Sequence, residues 1–272
     1  MPRFASRLLL SLLATLCLTQ CRTPSPDRAA ARRPPILLAI FAHPDDEASV
    51  SAVLAKYAAA GVQVYLAVAT DGRLGVTQHA GIAAGDGLAA VRDQELQCAA
   101  QRLGLQAPIR FGLHDQLRMT EGLDAFNQQM FELRAQVRKL FEALQPDAVI
   151  TWGPSGWTGH PDHRMVGAVV TEVFQSQRWE RPSQLYYPGI PTGAVPASDP
   201  FPTVDERFLS HRISIGERDR EAAKQSWLCH RSQYTPEQIE QMHRMLTAAQ
   251  AGVARFQPAV AIKGTSDSLL PN

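Results

Sequence analysis

The stretch Ile36-Leu37-Leu38-Ala39-Ile40-Phe41-Ala42-His43-Pro44-Asp45-Asp46-Glu47 decides the fold. Its six leading apolar side chains mark a buried strand, expected over 35–42, and an imidazole and three carboxylates follow directly. Charged groups at the carboxyl end of a central strand stand where open α/β sheets bind ligands. His and Asp are also residue types that Zn²⁺ accepts as ligands. Helix capping is the simpler explanation for acidic residues here. One carboxylate is enough for a cap, however, and three in a row repel one another. A His at a buried strand end adds a further cost unless it has a partner, and a cation relieves both costs at once.

A second cluster, Gly159-His160-Pro161-Asp162-His163, repeats this chemistry downstream. It follows the apolar run Ala148-Val149-Ile150 and the loop 153–159. Val166, Val169, Val170, Val173 and Phe174 then mark one face of a helix. His160 and His163, three residues apart at its start, share a side. Taken alone, they read equally well as surface histidines. Both clusters follow buried strands, so parallel βαβ topology brings them to one sheet edge. Together they offer three metal ligands and leave one carboxylate free to act as a base.

Apolar runs alternate with helical patterns along the rest of the chain, which predicts an α/β fold with a mostly parallel sheet. Further strands are expected over 62–70, 109–113, 147–152, 184–187 and 211–215. Helices are expected over 47–60, 88–103, 123–144, 218–229 and 236–251. The Gly-rich loop 71–87 suits a lid or binding edge. It carries neither a phosphate-loop nor a dinucleotide pattern.

The chain has 272 residues, 27 Lys and Arg against 26 Asp and Glu, and a net charge of +1. That length suits one large α/β domain. No basic stripe interleaves with aromatics, so nucleic acid is not an expected partner. Arg3 and Arg7 precede an apolar run, Leu8 to Leu18, about half as long as a bilayer span. This reads as a secretory signal. Leu18-Thr19-Gln20-Cys21 resembles a bacterial lipoprotein signal, with Gln20 where a small residue is usual. The expected organisation is a signal peptide over 1–21, a flexible Pro- and Arg-rich tether over 22–34 and the functional domain over 35–272. The expected location is periplasmic or envelope-anchored, with membrane contact only through an N-terminal lipid. Cys98 and Cys229 fall on amphipathic helical patterns and are expected to be two buried free thiols, a single disulfide being the alternative.

Ala42-His43-Pro44-Asp45-Asp46-Glu47 paired with His160-Pro161-Asp162-His163 resembles the PIG-L/LmbE-like zinc deacetylases. Thr70, Gly72 and Gly75 are similar to that family's Gly-containing loop. Arg92 and Glu95, followed by Leu103-Gly104, resemble its Arg-x-x-Glu helix. Lys224 and then His230-Arg231-Ser232-Gln233 resemble a C-terminal signature. The resemblance implies a Rossmann-like, three-layer domain that holds one Zn²⁺ per chain on His43, Asp46 and His163. It implies Asp45 as general base, His160 as an imidazolium that stabilises the oxyanion, and Asp162 as the carboxylate that orients a ligand His. The implied reaction removes the N-acetyl group of an N-acetylglucosamine-type sugar or glycoconjugate and releases acetate. Members often carry a Tyr just upstream of the second cluster, where this chain has Thr158.

Arg92, Asp115 and Arg73 are candidates for binding substrate, with ordinary surface ion pairing as the alternative. Trp152 and Trp227 read as core. Two other functions stay open: an amidase acting on another acyl or thiol conjugate, and a non-catalytic glycan-binding envelope lipoprotein. An unliganded carboxylate at position 45 argues against the second.

Overall fold

The computed structural model describes residues 33–271 apart from 197, 199 and 200. The expected signal peptide, Cys21 and the tether up to residue 32 lie outside the described residues. The first strand, β1 (Ile36–Phe41), is buried at every position. It runs parallel to β2 (Gln63–Thr70) on one side and to β4 (Ala148–Ile150) on the other. With β3 (Ile109–Leu113) and β5 (Gln184–Gly189), these strands make the parallel part of a seven-stranded sheet of order β3-β2-β1-β4-β5-β7-β6. The last two, β6 (His211–Ser214) and β7 (Val253–Pro258), extend it antiparallel. The expected α/β architecture with a mostly parallel sheet is therefore the one observed.

The chain winds outward from β1 through β2 to β3 and then returns to β4 on the other side of β1. The carboxyl ends of β1 and β4 consequently flank a topological switch point, where such sheets open a crevice. Alternate residues of β1 feed two cores. Leu37, Ala39 and Phe41 pack with Val53, Leu54 and Leu96 on one face, while Leu38, Ile40 and Ala42 pack with Val137, Phe141 and Val170 on the other. The first face is covered by α1 (Ser51–Ala59), α2 (Asp86–Leu103) and α6 (Glu217–Trp227), the second by α3 (Leu123–Leu144) and α5 (Pro161–Gln175). A single turn, α4 (Gly156–Gly159), precedes α5, and α7 (Pro236–Gln250) follows α6. At Gly167 of α5 an added Cβ would meet the Trp152 carbonyl oxygen at 2.3 Å. Glycine thus lets α5 press against the end of β4, which fixes the height of the helix start that carries His160 and His163.

Three expectations are corrected. The helix predicted over 47–60 begins as a 3-10 turn, Asp46–Ser49, before α1. The chain does not close on helices: β7 was not anticipated, because Arg255 and Gln257 alternate with buried Ala254 and Phe256 and leave only a short half-buried pattern. Cys98 and Cys229 are not free thiols. They form a disulfide between α2 and the residues after α6, across 131 positions of sequence. Two helices packed on the same sheet face bring them together, which no local pattern shows. No helix among the described residues is long and apolar enough to cross a membrane.

Candidate active site

The backbone after β1 sends three adjacent carboxylates in three directions. Asp45 takes a φ of 118°, a conformation that costs a non-glycine residue of order 1–3 kcal/mol. Asp46 folds back, and its Oδ2 accepts the Ala42 and His43 backbone N–H groups at 2.9 and 2.8 Å. Glu47, fully buried, meets His230 Nε2 at 2.6 Å. The end of β1 is held by Thr70 Oγ1 donating to the Ala42 carbonyl and Thr151 Oγ1 donating to that of Ile40.

The second cluster arrives from the other side of the switch point. His160 caps α5, its Nδ1 accepting the Asp162 N–H at 3.2 Å. A protonated ring has no lone pair there, so the expected imidazolium is corrected to a neutral imidazole with its proton on Nε2. Burial and the neighbouring His43 also lower its proton affinity. His163 Nδ1 lies 2.8 Å from the Gly156 carbonyl oxygen. It must donate there, which leaves Nε2 as a lone pair.

His43 sits between two groups. Its Nε2 faces Asp162 at 3.1 Å and Asp115 at 3.3 Å, and its Nδ1 faces His163 Nε2 at 3.2 Å. Asp46 approaches His163 Nε2 at 3.0 Å and His43 Nδ1 at 3.6 Å. Ligand atoms about 2.0–2.2 Å from a tetrahedral zinc stand roughly 3.3–3.6 Å from one another. His43 Nδ1, His163 Nε2 and Asp46 therefore fit around one divalent ion. Asp162 and Asp115 can take the Nε2 proton of His43, the outer partner that a ligand imidazole needs.

Two other sets of donors also converge, His43 with His160 and His163, and His43 with Asp115 and Asp162. The carboxylates of the last set are already engaged: Asp115 accepts from the Leu74 and Gln116 N–H groups, and Asp162 from that of Gln116.

The titration tendencies agree with a site built for positive charge. Burial opposes protonation of His43, yet Asp115, Asp162 and Asp46 push it well above its usual value. Burial opposes ionisation of Asp46, yet His163 and His43 hold it well below the carboxylate range. Asp115, although desolvated, is held down at about 2 by His43.

Asp45 stands apart from the ligand atoms. Arg92 donates to its Oδ1 at 2.9 Å and the Tyr234 hydroxyl to its Oδ2 at 3.0 Å. Burial raises its proton affinity, opposed by Arg92 and reinforced by Asp46. Arg92, a candidate for substrate contact, is buried beside Asp45 and lines the cavity. Besides Asp45 it donates to the Pro44 and Gly72 carbonyls, and it passes so close to Gly72 that a Cβ there would overlap its guanidinium. Arg73 does not line the cavity. Its guanidinium pairs with Asp71 and Asp86, the ion pairing named above as the alternative to substrate contact. Asp115 does line the cavity.

Tyr234 was missed. It lies just past the His230-Arg231-Ser232-Gln233 run, and only the fold carries it across 189 positions to Asp45. Ser232 donates twice to Glu95 of α2, and Gln233 donates to the Gly75 carbonyl, so α2 grips this segment beside the disulfide. Around these groups lies a cavity of about 480 Å³, lined also by Trp152, Trp157, Trp227 and Ile190.

The model of the PIG-L family, described as GlcNAc-PI de-N-acetylase, matches residues 38–174, which include both clusters. The chain belongs to the PIG-L family. It is 31% identical over 176 residues to a 1D-myo-inositol 2-acetamido-2-deoxy-alpha-D-glucopyranoside deacetylase of Mycolicibacterium vanbaalenii, covering 60% of this chain and 62% of that protein. The alignment thus spans less than two thirds of the relative's length. Among solved structures, the N,N'-diacetylchitobiose deacetylase of Pyrococcus horikoshii superposes with a TM-score of 0.61 at 20% identity, over 82% of this chain and 83% of that one. The 4-carboxy-2-hydroxymuconate hydratase of Pseudomonas putida superposes at 0.54 and 14% identity, over 84% and 97%. These likenesses establish the fold. A shared fold does not by itself fix the reaction.

If His43, Asp46 and His163 hold a divalent ion, Asp46→Asn and His163→Ala are expected to abolish its binding. Asp162→Asn is expected to keep it with about 10–100-fold weaker affinity. Metal titration of purified protein checks both, and full occupancy in His163→Ala would contradict the ligand assignment.

Proposed function

We propose that this PIG-L member is a zinc-dependent hydrolase that removes the N-acetyl group from an N-acetylglucosamine-type sugar or glycoconjugate. The observation that carries this reading is Asp45: a buried carboxylate outside the ligand set, held at a strained φ next to a ligand residue. A binding site has no use for it, whereas amide hydrolysis needs a base there.

His43, Asp46 and His163 would hold one Zn²⁺. When bound, such an ion polarises an acyl carbonyl and makes water a nucleophile near neutral pH. Asp45 accepts the proton of the attacking water on one of its two oxygens. Arg92 and Tyr234 keep the carboxylate aimed and leave a lone pair free on each oxygen. His160 donates its Nε2–H to the oxygen that becomes negative as the carbonyl turns tetrahedral. Losing one such donor typically costs about 10²–10³ in rate. Asp45 then passes its proton to the departing nitrogen as the C–N bond breaks, so one water and one amide yield acetate and a free amine. Asp162 keeps the His43 ring in place. Asp115, at the cavity wall, is the remaining candidate for a substrate hydroxyl.

Acetate release from N-acetylglucosamine compounds tests the reaction: it should stop on chelation and return with zinc. Asp45→Asn should lower kcat by about 10²–10⁴ and keep its metal. Tyr234→Phe should lower kcat about tenfold, in line with loss of a hydrogen bond to a charged group. Near-normal turnover by Asp45→Asn would contradict the assigned base.

We propose further that the protein lies outside the cytoplasm, held by a lipid on Cys21. The basic and apolar segments at the N-terminus support it, as does the Cys98–Cys229 disulfide, a bond characteristic of oxidising compartments. Mass spectrometry of the mature protein is expected to find Cys21 as a lipid-modified first residue. A mature chain that still begins at Met1 would contradict it.

A further inference from the structure

One wall of the cavity has no part in the chemistry above. Met242, Met245 and Leu246 of α7 and Trp227 of α6 face the same space as Asp45 and Tyr234. Trp227 is fixed in place, because its Nε1 donates to Ser51 Oγ at 3.0 Å. Met245 is 50% exposed, so the wall reaches the cavity mouth. Flexible methionines beside a rigid indole form a surface that adapts to alkyl and aryl groups. Among the described residues no lysine lines the cavity, and the one arginine that does, Arg92, is already committed to Asp45, Pro44 and Gly72. A phosphate or carboxylate on the substrate therefore finds no free arginine or lysine among the described lining residues.

The wall also has a side. Tyr234 binds Asp45, and α7 starts two residues later at Pro236, so the apolar surface continues directly from the base. Asp45 is the group that returns a proton to the departing nitrogen. His160, which faces the acyl oxygen, belongs to the start of α5. Whatever is attached to the amine half of the substrate thus emerges toward α7.

We propose that the substrate carries an uncharged alkyl or aryl group on its amine-bearing half, and that this group packs on Trp227, Met242, Met245 and Leu246. The proposal rests on the deacetylase reading for its geometry. An aglycone attached through the sugar's anomeric oxygen fits this description; a free, fully hydroxylated saccharide does not.

The test compares kcat/KM of the zinc-loaded enzyme for N-acetylglucosamine and for its octyl glycoside, and in parallel for N-acylglucosamines of increasing acyl length. Each buried methylene is worth about fourfold. The octyl glycoside is thus expected to be preferred by at least tenfold, and Met245→Glu, at a half-exposed position where folding is not at stake, is expected to collapse the preference. Tryptophan fluorescence of the metal-free protein titrated with octyl glycoside gives a readout independent of turnover, and a saturable change is expected. Turnover of both sugars at equal kcat/KM, with no fluorescence response, overturns the subsite. A preference for long N-acyl chains in place of the alkyl glycoside overturns its assignment to the amine half. Saturable binding with no acetate released from any substrate leaves the subsite standing and sinks the deacetylase reading instead.

Discussion

The structure depends on the separation of three neighbouring carboxylates. Side by side at a buried strand end, Asp45, Asp46 and Glu47 would repel one another and suffer desolvation together. Each instead has its own positive or proton-bearing partner: Arg92 and Tyr234 for Asp45, His43 and His163 for Asp46, His230 for Glu47. The positive φ at Asp45 makes this fan possible, and the surrounding contacts hold that strain in place. Without the fan, Asp46 would not face His43 and His163, and Asp45 would not face Arg92 and Tyr234. The rest of the molecule can be read as the scaffold that delivers the other partners from three distant parts of the chain, at 92, at 163 and at 230–234.

Delivery is divided between two faces of the sheet. Under one face, α2 contributes Arg92 and Glu95, and its disulfide to Cys229 anchors the segment that carries His230, Ser232 and Tyr234. Over the other, α5 brings His163 and Asp162, seated against β4 by the close approach at Gly167. His43 joins the two systems: one ring nitrogen faces the carboxylates Asp115 and Asp162, the other the converging donors His163 and Asp46. The glycine-rich loop lies against Arg92, at Gly72 and Gly75, on the Asp45 side.

What could be read from the sequence follows the range of the interactions. The strand that ends in His43-Pro44-Asp45-Asp46-Glu47 and the helix start at His160 are local patterns, and topology alone predicted that they would meet. That His43, Asp46 and His163 stand within reach of one another follows from that convergence, while their choice as a ligand set came from the family resemblance. Tyr234 was not, since its partner lies 189 residues away and a lone tyrosine past a helix carries no signal. Arg92 was legible as a site residue but its partner Asp45 was not, because sequence cannot say whether a cation faces solvent or a buried carboxylate. The cysteine pair was misjudged for the same reason. Strand β7 escaped because half its residues face solvent, and its pairing with β5 and β6 is settled only in the folded sheet.

Anomalous diffraction at the zinc edge from crystals of the zinc-loaded protein tests the central claim most directly. The account predicts a single peak shared by His43 Nδ1, His163 Nε2 and the Asp46 carboxylate, with Asp45 outside bonding distance and still held by Arg92 and Tyr234. A peak on the opposite side of the ring, among His43 Nε2, Asp115 and Asp162, or one bonded to Asp45, would contradict it.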